Sequence, residues 1–218
     1  MVACRVQLHR FPAEPVHRRV GRGYVVPGGG FFPGVTTVLK ATKPRADREA
    51  IARWADRVGT DEAEAILADA SQRGTSLHAQ VEAFLLRGEE GAGPWWGSIA
   101  PFLRRVKAAL VEGLVWHPAG FAGAVDCVGV VGGELAILDW KTARRPKRQE
   151  WIRDYELQVA AYCAAVNRVY GTRIGRGYVV VALHDRPAQV FELDAVRIFG
   201  AWHDFRRRLA AFKELHGR

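Results

Sequence analysis

Cysteine is scarce in this chain. Its three cysteines, Cys4, Cys127 and Cys163, are far apart and form no C-x-x-C pair. That argues against a zinc knuckle and against a disulfide framework, and it fits a reducing compartment. Long apolar runs are also missing. Nothing approaches the roughly 20 consecutive apolar residues that cross a bilayer. Acidic residues are in deficit, 23 against 32 lysines and arginines, for a net charge of +9. Such a surplus attracts polyanions without choosing among nucleic acid, anionic lipid and acidic protein. No basic amphipathic helix stands out, so a membrane partner is not expected. The first 23 residues are Arg-rich with Glu14 as their only acid, but they contain no serine. Their pattern is poorly helical, and Cys4, Val6 and Leu8 alternate with polar neighbours as a half-buried strand would, so a mitochondrial transit peptide is not expected.

Nearly half of the 218 residues are apolar, enough for one sizeable core. Residues 1–34 read as short strands broken by Pro27-Gly28-Gly29-Gly30 and Pro33-Gly34. Thr36 is placed to cap a short helix ending at Ala41, with Pro44 closing it. Helices are expected at 47–58, 61–70 and 73–87. A fourth, at 98–112, would be closed by Gly113. Val/Ile/Leu-rich runs at 120–131 and 134–141, split by Gly132-Gly133, read as a β-hairpin. A basic stretch, 142–153, precedes a helix at 154–169. Strands follow at 177–183 and 188–193, and the last helix covers 195–215. The fold class is therefore α/β, a small mixed sheet flanked by helices with an N-terminal helical lobe.

The chemistry centres on Gly123-Ala-Val-Asp126 and, thirteen residues after that aspartate, Asp139-Trp140-Lys141. Side chains alternate along a strand, so Asp139 and Lys141 share a face that Trp140 does not. Pairing through Gly132-Gly133 brings Asp126 to the Asp139 end. Two carboxylates and an ammonium then converge, a costly cluster to bury without a purpose. Hard oxygen ligands of this kind hold Mg²⁺ or Mn²⁺, which activates water and neutralises phosphate charge. A lysine beside them stabilises the crowded phosphorane. The same residues also fit an Asp139–Lys141 ion pair on an edge strand, with Asp126 in a turn.

Other candidates frame this set. Gln158 and Tyr162 lie four apart on one helical face, as do His78 and Glu82. His78 is either a metal ligand or half of a surface pair with Glu82. Glu112 is either a third acid at the metal or a solvated helix end. Arg144, Arg145, Lys147 and Arg148 follow Lys141 closely and suit phosphate, with Trp151 available to stack on a base. Arg73, just before His78, also suits a phosphate. Arg104, Arg105, Lys107 and Arg206–Arg208 read as solvated faces. Trp95 and Trp96 fit a strand channel or a packed interface equally.

Taken in order, Gly74-x-x-x-His78, Gly-x-x-Asp126, Asp139-Trp-Lys141 and Gln158-x-x-x-Tyr162 resemble the RecB-type branch of the PD-(D/E)XK nucleases. Within that branch the closer resemblance is to the mitochondrial genome maintenance exonucleases and their phage and bacterial relatives. Phe32-Pro33-Gly34-Val35-Thr36-Thr37-Val38-Leu39 resembles that group's opening motif, with Gly34 where serine is usual. The resemblance implies a restriction-endonuclease-like core and a deoxyribonuclease, most simply an exonuclease on single-stranded DNA in replication, recombination or repair. A structure-specific endonuclease and a non-catalytic nucleic-acid binder are the rival readings. It implies that His78, Asp126, Asp139 and the Trp140 carbonyl bind Mg²⁺ or Mn²⁺, that Lys141 is catalytic, and that Gln158 and Tyr162 support it. An arch of helices around the strand is also implied, for which 47–70 and the basic stretch are candidates. An iron–sulfur cluster, which needs four cysteines, is not expected. The expected organisation is one nuclease domain over 1–218, with strands and turns to 34, a helical part over 35–113 and a catalytic α/β core over 114–218. It is expected to be a cytoplasmic monomer.

Overall fold

The structure, a computed structural model, describes residues 7–217. Its centre is a five-stranded sheet in the order β4-β5-β6-β7-β8. The strands are Lys107–His117, Phe121–Val131, Glu134–Ala143, Gly177–Leu183 and Gln189–Leu193. All neighbours are antiparallel except β6 and β7, which run parallel. A parallel pair needs a crossover, and helix α5 (Arg153–Tyr170) supplies it after a short 3₁₀ turn, Gln149–Ile152. The expected β5–β6 hairpin forms, with Val131 paired to Glu134 across a two-residue turn. Gly132 and Gly133 both have positive φ, 61° and 92°, as the tight hairpin turn requires.

Each face of the sheet carries its own core. On one face, Val128, Ile137, Val179 and Val181 pack against α1 (Val35–Ala41), α5 and α6 (Ala195–Leu215). On the other, Cys127, Leu138, Trp140 and Val180 pack against α3 (Thr60–Arg87) and α4 (Pro94–Leu103). Cys127 and Cys163 are free thiols inside this packing. A separate three-stranded sheet, β1 (Pro15–Arg18), β2 (Gly21–Val25) and β3 (Phe31–Pro33), sits against β5 through Tyr24 and Ala122. Helix α2 (Arg45–Val58) buries none of its side chains, and the first half of α3 beside it is largely exposed.

Four sequence expectations are corrected. The helix expected at 98–112 stops at Leu103, and 107–117 is strand β4. Leu103, Val106, Leu110 and Leu114 also satisfy a helical period, but pairing with β5 buries this segment as a strand. The division at 113/114 accordingly falls inside β4, so the 35–113 segment is not wholly helical. The helices expected at 61–70 and 73–87 are one helix, α3. A glycine inside a helix costs only about 1 kcal/mol, and the turns after Gly74 bury Leu77 and Val81. Thr36 is not a cap: Gly34 holds that position, and no side chain caps the helix. Most of the expected strand at Cys4, Val6 and Leu8 lies outside the described residues, although the Leu8 amide donates to the Ala109 carbonyl at 2.9 Å.

Candidate active site

Three neighbouring strands each contribute one carboxylate to a single row. Val111 faces Cys127 and Gly113 faces Val125, so Glu112 on β4 stands opposite Asp126 on β5. Cys127 faces Leu138, and continuing that register by one residue sets Asp126 beside Asp139 on β6. The Trp140 amide donates to Asp126 Oδ2 at 3.0 Å, which ties the two strands at this level. Glu112 has φ 47°, the one non-glycine residue in the left-handed region among those described. Such a conformation costs roughly 1–3 kcal/mol and re-aims a side chain. It also breaks the strand's alternation: Leu110 and Val115, five apart, pack into the same core, while Val111 packs into the other.

Helix α3 brings His78 to this row. Its Nδ1 lies 3.6 Å from Glu112 Oε1 and 3.8 Å from Asp126 Oδ2, and Nε2 lies 2.8 Å from the Trp140 carbonyl oxygen. The donor atoms of His78, Glu112 and Asp126 all lie within 4.8 Å of one another. Burial opposes a charge on His78, but Asp126 and Glu112 outweigh it and push its pKa up to about 9.

Asp139 is 1% exposed, and neither of its carboxylate oxygens makes a hydrogen bond of ordinary geometry. Lys141 Nζ stands 2.6 Å from Oδ2 and supplies the charge balance. Burial raises the Asp139 pKa to about 6, against the pull of Lys141. Burial also opposes the Lys141 ammonium, yet Asp139 and Asp126 raise its pKa above the usual lysine value. The Lys141 ammonium lies 5.1 Å from the centre of the Tyr155 ring on α5.

These residues fit a divalent cation. Asp139 Oδ1, buried without a partner, next to a further pair of acids and an imidazole, makes a hard donor set suited to Mg²⁺ or Mn²⁺. Nδ1 of His78 faces the acids, and Nε2 is free to donate to Trp140, the arrangement that orients a ligating imidazole. The Trp140 carbonyl therefore belongs to this cluster as the partner of His78. Its indole packs on the sheet face covered by α3 and α4, opposite the α5 face on which Lys141 meets Tyr155.

Gln158 and Tyr162 lie buried on α5, on the face that packs against the sheet. The Tyr162 ring rests on Gly123 so closely that a Cβ there would sit 2.8 Å from its hydroxyl oxygen. Only glycine fits under the ring. Burial, with Asp126 adding to it, keeps the Tyr162 hydroxyl protonated far above its usual range. Glu82, one turn after His78, pairs with Arg10 at 3.2 Å.

The basic stretch is placed beyond the C-terminal end of β6. Arg144, Arg145 and Arg148 are exposed, as is Trp151 at 57%. Arg148 lies 5.3 Å from the Trp151 ring, and Arg144 reaches Asp69 on α3 at 3.2 Å. The Lys147 backbone is pinned to Gln189 of β8. Arg73 is engaged internally. It pairs with Asp69, donates to Thr142 at 3.3 Å and covers the Trp95 ring. Trp96 is buried and Trp95 packs beside it, so both belong to the α3–α4 interface. Arg208 is not on a solvated face. It binds the end of α1 through Leu39 and Thr42, and it reaches Asp154.

Sequence reasoning missed Tyr155, Arg10 and Arg22. Tyr155 was detectable, three residues before Gln158 on the same helical face. The arginines were not, because only the tertiary fold brings them into the cleft that contains His78 and Glu112.

A family model described as the PD-(D/E)XK nuclease superfamily matches residues 34–211. Mitochondrial genome maintenance exonuclease 1 of Xenopus tropicalis is 29% identical over 204 residues, covering 85% of this chain and 58% of the relative. The Mus musculus protein of the same name is 30% identical over 202 residues, covering 84% and 59%. The chain thus spans under two thirds of the length of these relatives. Among solved structures, LHK-Exo in complex with dAMP is 16% identical with a TM-score of 0.42, covering 84% of this chain and 88% of that one. A putative exonuclease from Eubacterium rectale is 14% identical with a TM-score of 0.40, covering 55% and 53%.

Proposed function

The chain belongs to the PD-(D/E)XK nuclease superfamily, and from that premise we propose that it is a metal-dependent exonuclease that hydrolyses single-stranded DNA from free ends. The observation that carries this reading is the convergence of Glu112, Asp126 and Asp139 from three adjacent strands, with His78 above them and Lys141 against Asp139.

Divalent metals serve this superfamily. Here His78, Glu112, Asp126 and Asp139 would hold Mg²⁺ or Mn²⁺, whose Lewis acidity lowers the charge on a phosphodiester and eases attack by water. The protein's own part is positioning. Lys141, kept as an ammonium by two carboxylates, donates to a phosphate oxygen where negative charge grows during attack. Asp126 accepts the Trp140 amide, which fixes the backbone between Asp139 and Lys141 and so sets the spacing of acid and ammonium. Gln158 and Tyr162, held rigidly by packing, orient groups at the same end of the sheet. The exposed Arg144, Arg145 and Arg148 with Trp151 offer charge and a stacking surface to a flexible strand. Similarity to the mitochondrial genome maintenance exonucleases supports the exonuclease mode. The same reading treats the chain as one nuclease domain acting in DNA replication, recombination or repair.

A gel assay tests it. End-labelled linear and circular single strands, and duplex, are incubated with protein in Mg²⁺, Mn²⁺ or EDTA. Metal-dependent loss of the linear strand with the circle spared is the expected result. Cutting of the circle would replace the exonuclease reading with an endonuclease. Binding without cutting in either metal would reject the nuclease reading.

A further inference from the structure

The cleft that opens on the His78–Glu112 side of the carboxylate row has a cationic position that the reaction described above does not use. This cleft, about 590 Å³, is bounded by the N-terminal segment, by α3 and by β4 and β5. That size lies within the range of clefts that hold ligands. Two arginines line it. Arg10 is already engaged, pairing with Glu82 at 3.2 Å and donating to the Glu112 carbonyl at 3.3 Å. Arg22 is different. Its one side-chain hydrogen bond among the described residues goes to the Tyr24 hydroxyl, 3.4 Å away, with the guanidinium 5.9 Å from that ring's centre.

The backbone beneath Arg22 is firmly held. Its carbonyl accepts from the Gly34 amide at 3.0 Å and from Thr37 Oγ1 at 2.7 Å, both at the start of α1. Tyr24 beside it is buried against Leu114 and Ala122. Arg22 is therefore a charged side chain on a fixed base, facing a cleft whose acids have other partners. Glu82 is matched by Arg10, and Glu112 belongs to the candidate metal cluster. Across the cleft, Gly74 gives α3 no side chain, and Thr75 beside it is exposed.

The position relative to the sheet gives this meaning. The basic stretch after β6 is anchored to β8, on one side of the carboxylate row. Arg22 stands on the other side, near β4 and β5. We propose that Arg22 binds a backbone phosphodiester of the substrate strand on the β4 side of the cutting site, so that cationic groups hold the strand on both sides of it. A guanidinium suits this role because its planar fork matches two phosphate oxygens. The proposal rests on the nuclease reading above and adds a subsite to it.

The test is the salt dependence of strand binding, measured by fluorescence anisotropy in EDTA for wild type, Arg22→Gln, Arg22→Lys and, as a control, Arg104→Gln. Each neutralised phosphate on a single strand contributes about 0.7 to the slope of log affinity against log salt. Arg22→Gln should lower that slope by about 0.7 and weaken binding by about tenfold, the scale of one charge-assisted hydrogen bond. Arg22→Lys should keep the slope, and Arg104→Gln should behave as wild type. Strands ending in 5′-hydroxyl, 5′-phosphate and 3′-phosphate should all show the same loss, because the ligand is an internal diester. An unchanged slope in Arg22→Gln, in a wild type that cuts DNA, would overturn the Arg22 assignment alone. A loss confined to one terminal phosphate would also overturn it. A wild type that neither binds nor cuts would instead overturn the nuclease reading.

Discussion

The backbone amide of Trp140 donates to Oδ2 of Asp126, and through this one bond an acidic side chain on β5 fixes the main chain between the acid and the lysine on β6. Asp126 thus has two tasks, as a candidate ligand and as the acceptor for a buried amide. The two tasks separate by substitution. Asp126→Ala leaves the amide without a partner, which costs about 1–3 kcal/mol. For a domain of this size each kcal/mol moves the melting temperature by roughly 2–4 °C. Asp126→Asn keeps an acceptor oxygen and should fall by less. Both should lose the stabilisation that Mn²⁺ gives wild type, about 2.7 kcal/mol at one hundred times its Kd, which is read as a rise in melting temperature. Thermal unfolding with and without Mn²⁺ measures this, and equal Mn²⁺ stabilisation in wild type and Asp126→Asn would exclude Asp126 as a ligand.

The pH dependence of the metal-free protein carries a sign. His78 has a folded pKa of about 9 against 6.5 ordinarily, so its contribution to stability is fully present below pH 6.5 and disappears as pH rises through 9. Asp139, raised to about 6, acts in the same direction between its ordinary value of 3.8 and 6. The stability advantage of wild type over His78→Gln should therefore shrink from pH 6.5 to 9. Metal binding must also displace the His78 proton. Calorimetry in buffers of different ionisation enthalpy should record about one proton released per cation near pH 7.5. An advantage that grows with pH would contradict the placement of His78 between Glu112 and Asp126.

Tyr155 should act through Lys141. A cation over an aromatic face is worth about 0.5–2 kcal/mol, and that corresponds to roughly 2- to 30-fold in rate if the ammonium is misplaced. Tyr155→Phe keeps the ring and should hold kcat near wild type. Tyr155→Leu should lower kcat with KM little changed. Equal losses in both variants would assign the effect to the hydroxyl instead.

The basic stretch should contribute through charge. Replacing Arg144, Arg145, Lys147 and Arg148 together with glutamine should weaken binding to single strands and flatten its salt dependence, by about 0.7 for each phosphate no longer neutralised. Arg148 and Arg145, exposed and clear of Asp69, should account for more of the change than Arg144. An unchanged slope would remove this stretch from the binding surface.

The centre of the site is legible in the sequence because its determinants are local. A two-glycine turn and strand alternation suffice to bring Asp126 to Asp139 and to put Lys141 on the same face. The helix carrying Gln158 and Tyr162 is readable for the same reason. Strand β4 is not, because a run such as Leu110-Val111-Glu112-Gly113-Leu114-Val115 satisfies both a helical and an extended pattern. Only pairing with β5 decides between them. That ambiguity hides Glu112, which reads as a helix end in the sequence and stands mid-strand in a left-handed conformation. Gly74 misleads for a related reason, since burial of Leu77 and Val81 carries α3 through it. Arg73 has the right charge next to the right motif, but Asp69, Thr142 and Trp95 occupy it. Arg22 lies 56 residues before His78 in sequence, and no spacing rule joins residues brought together by three separate elements.

The most direct test of the central claim is single-turnover cleavage of an end-labelled single strand by wild type, Asp139→Ala and Lys141→Ala, in Mn²⁺ and in EDTA, with circular dichroism of each protein. Wild type should cut in Mn²⁺ and stop in EDTA, and both variants should be slowed by at least about a hundredfold, the scale for removing a charge-stabilising group at the reacting centre. Their far-ultraviolet spectra should match wild type. Variants that fold normally and cut within a few-fold of the wild-type rate would contradict the account, because the buried Asp139–Lys141 pair would then be a structural ion pair and the chemistry would have to lie elsewhere.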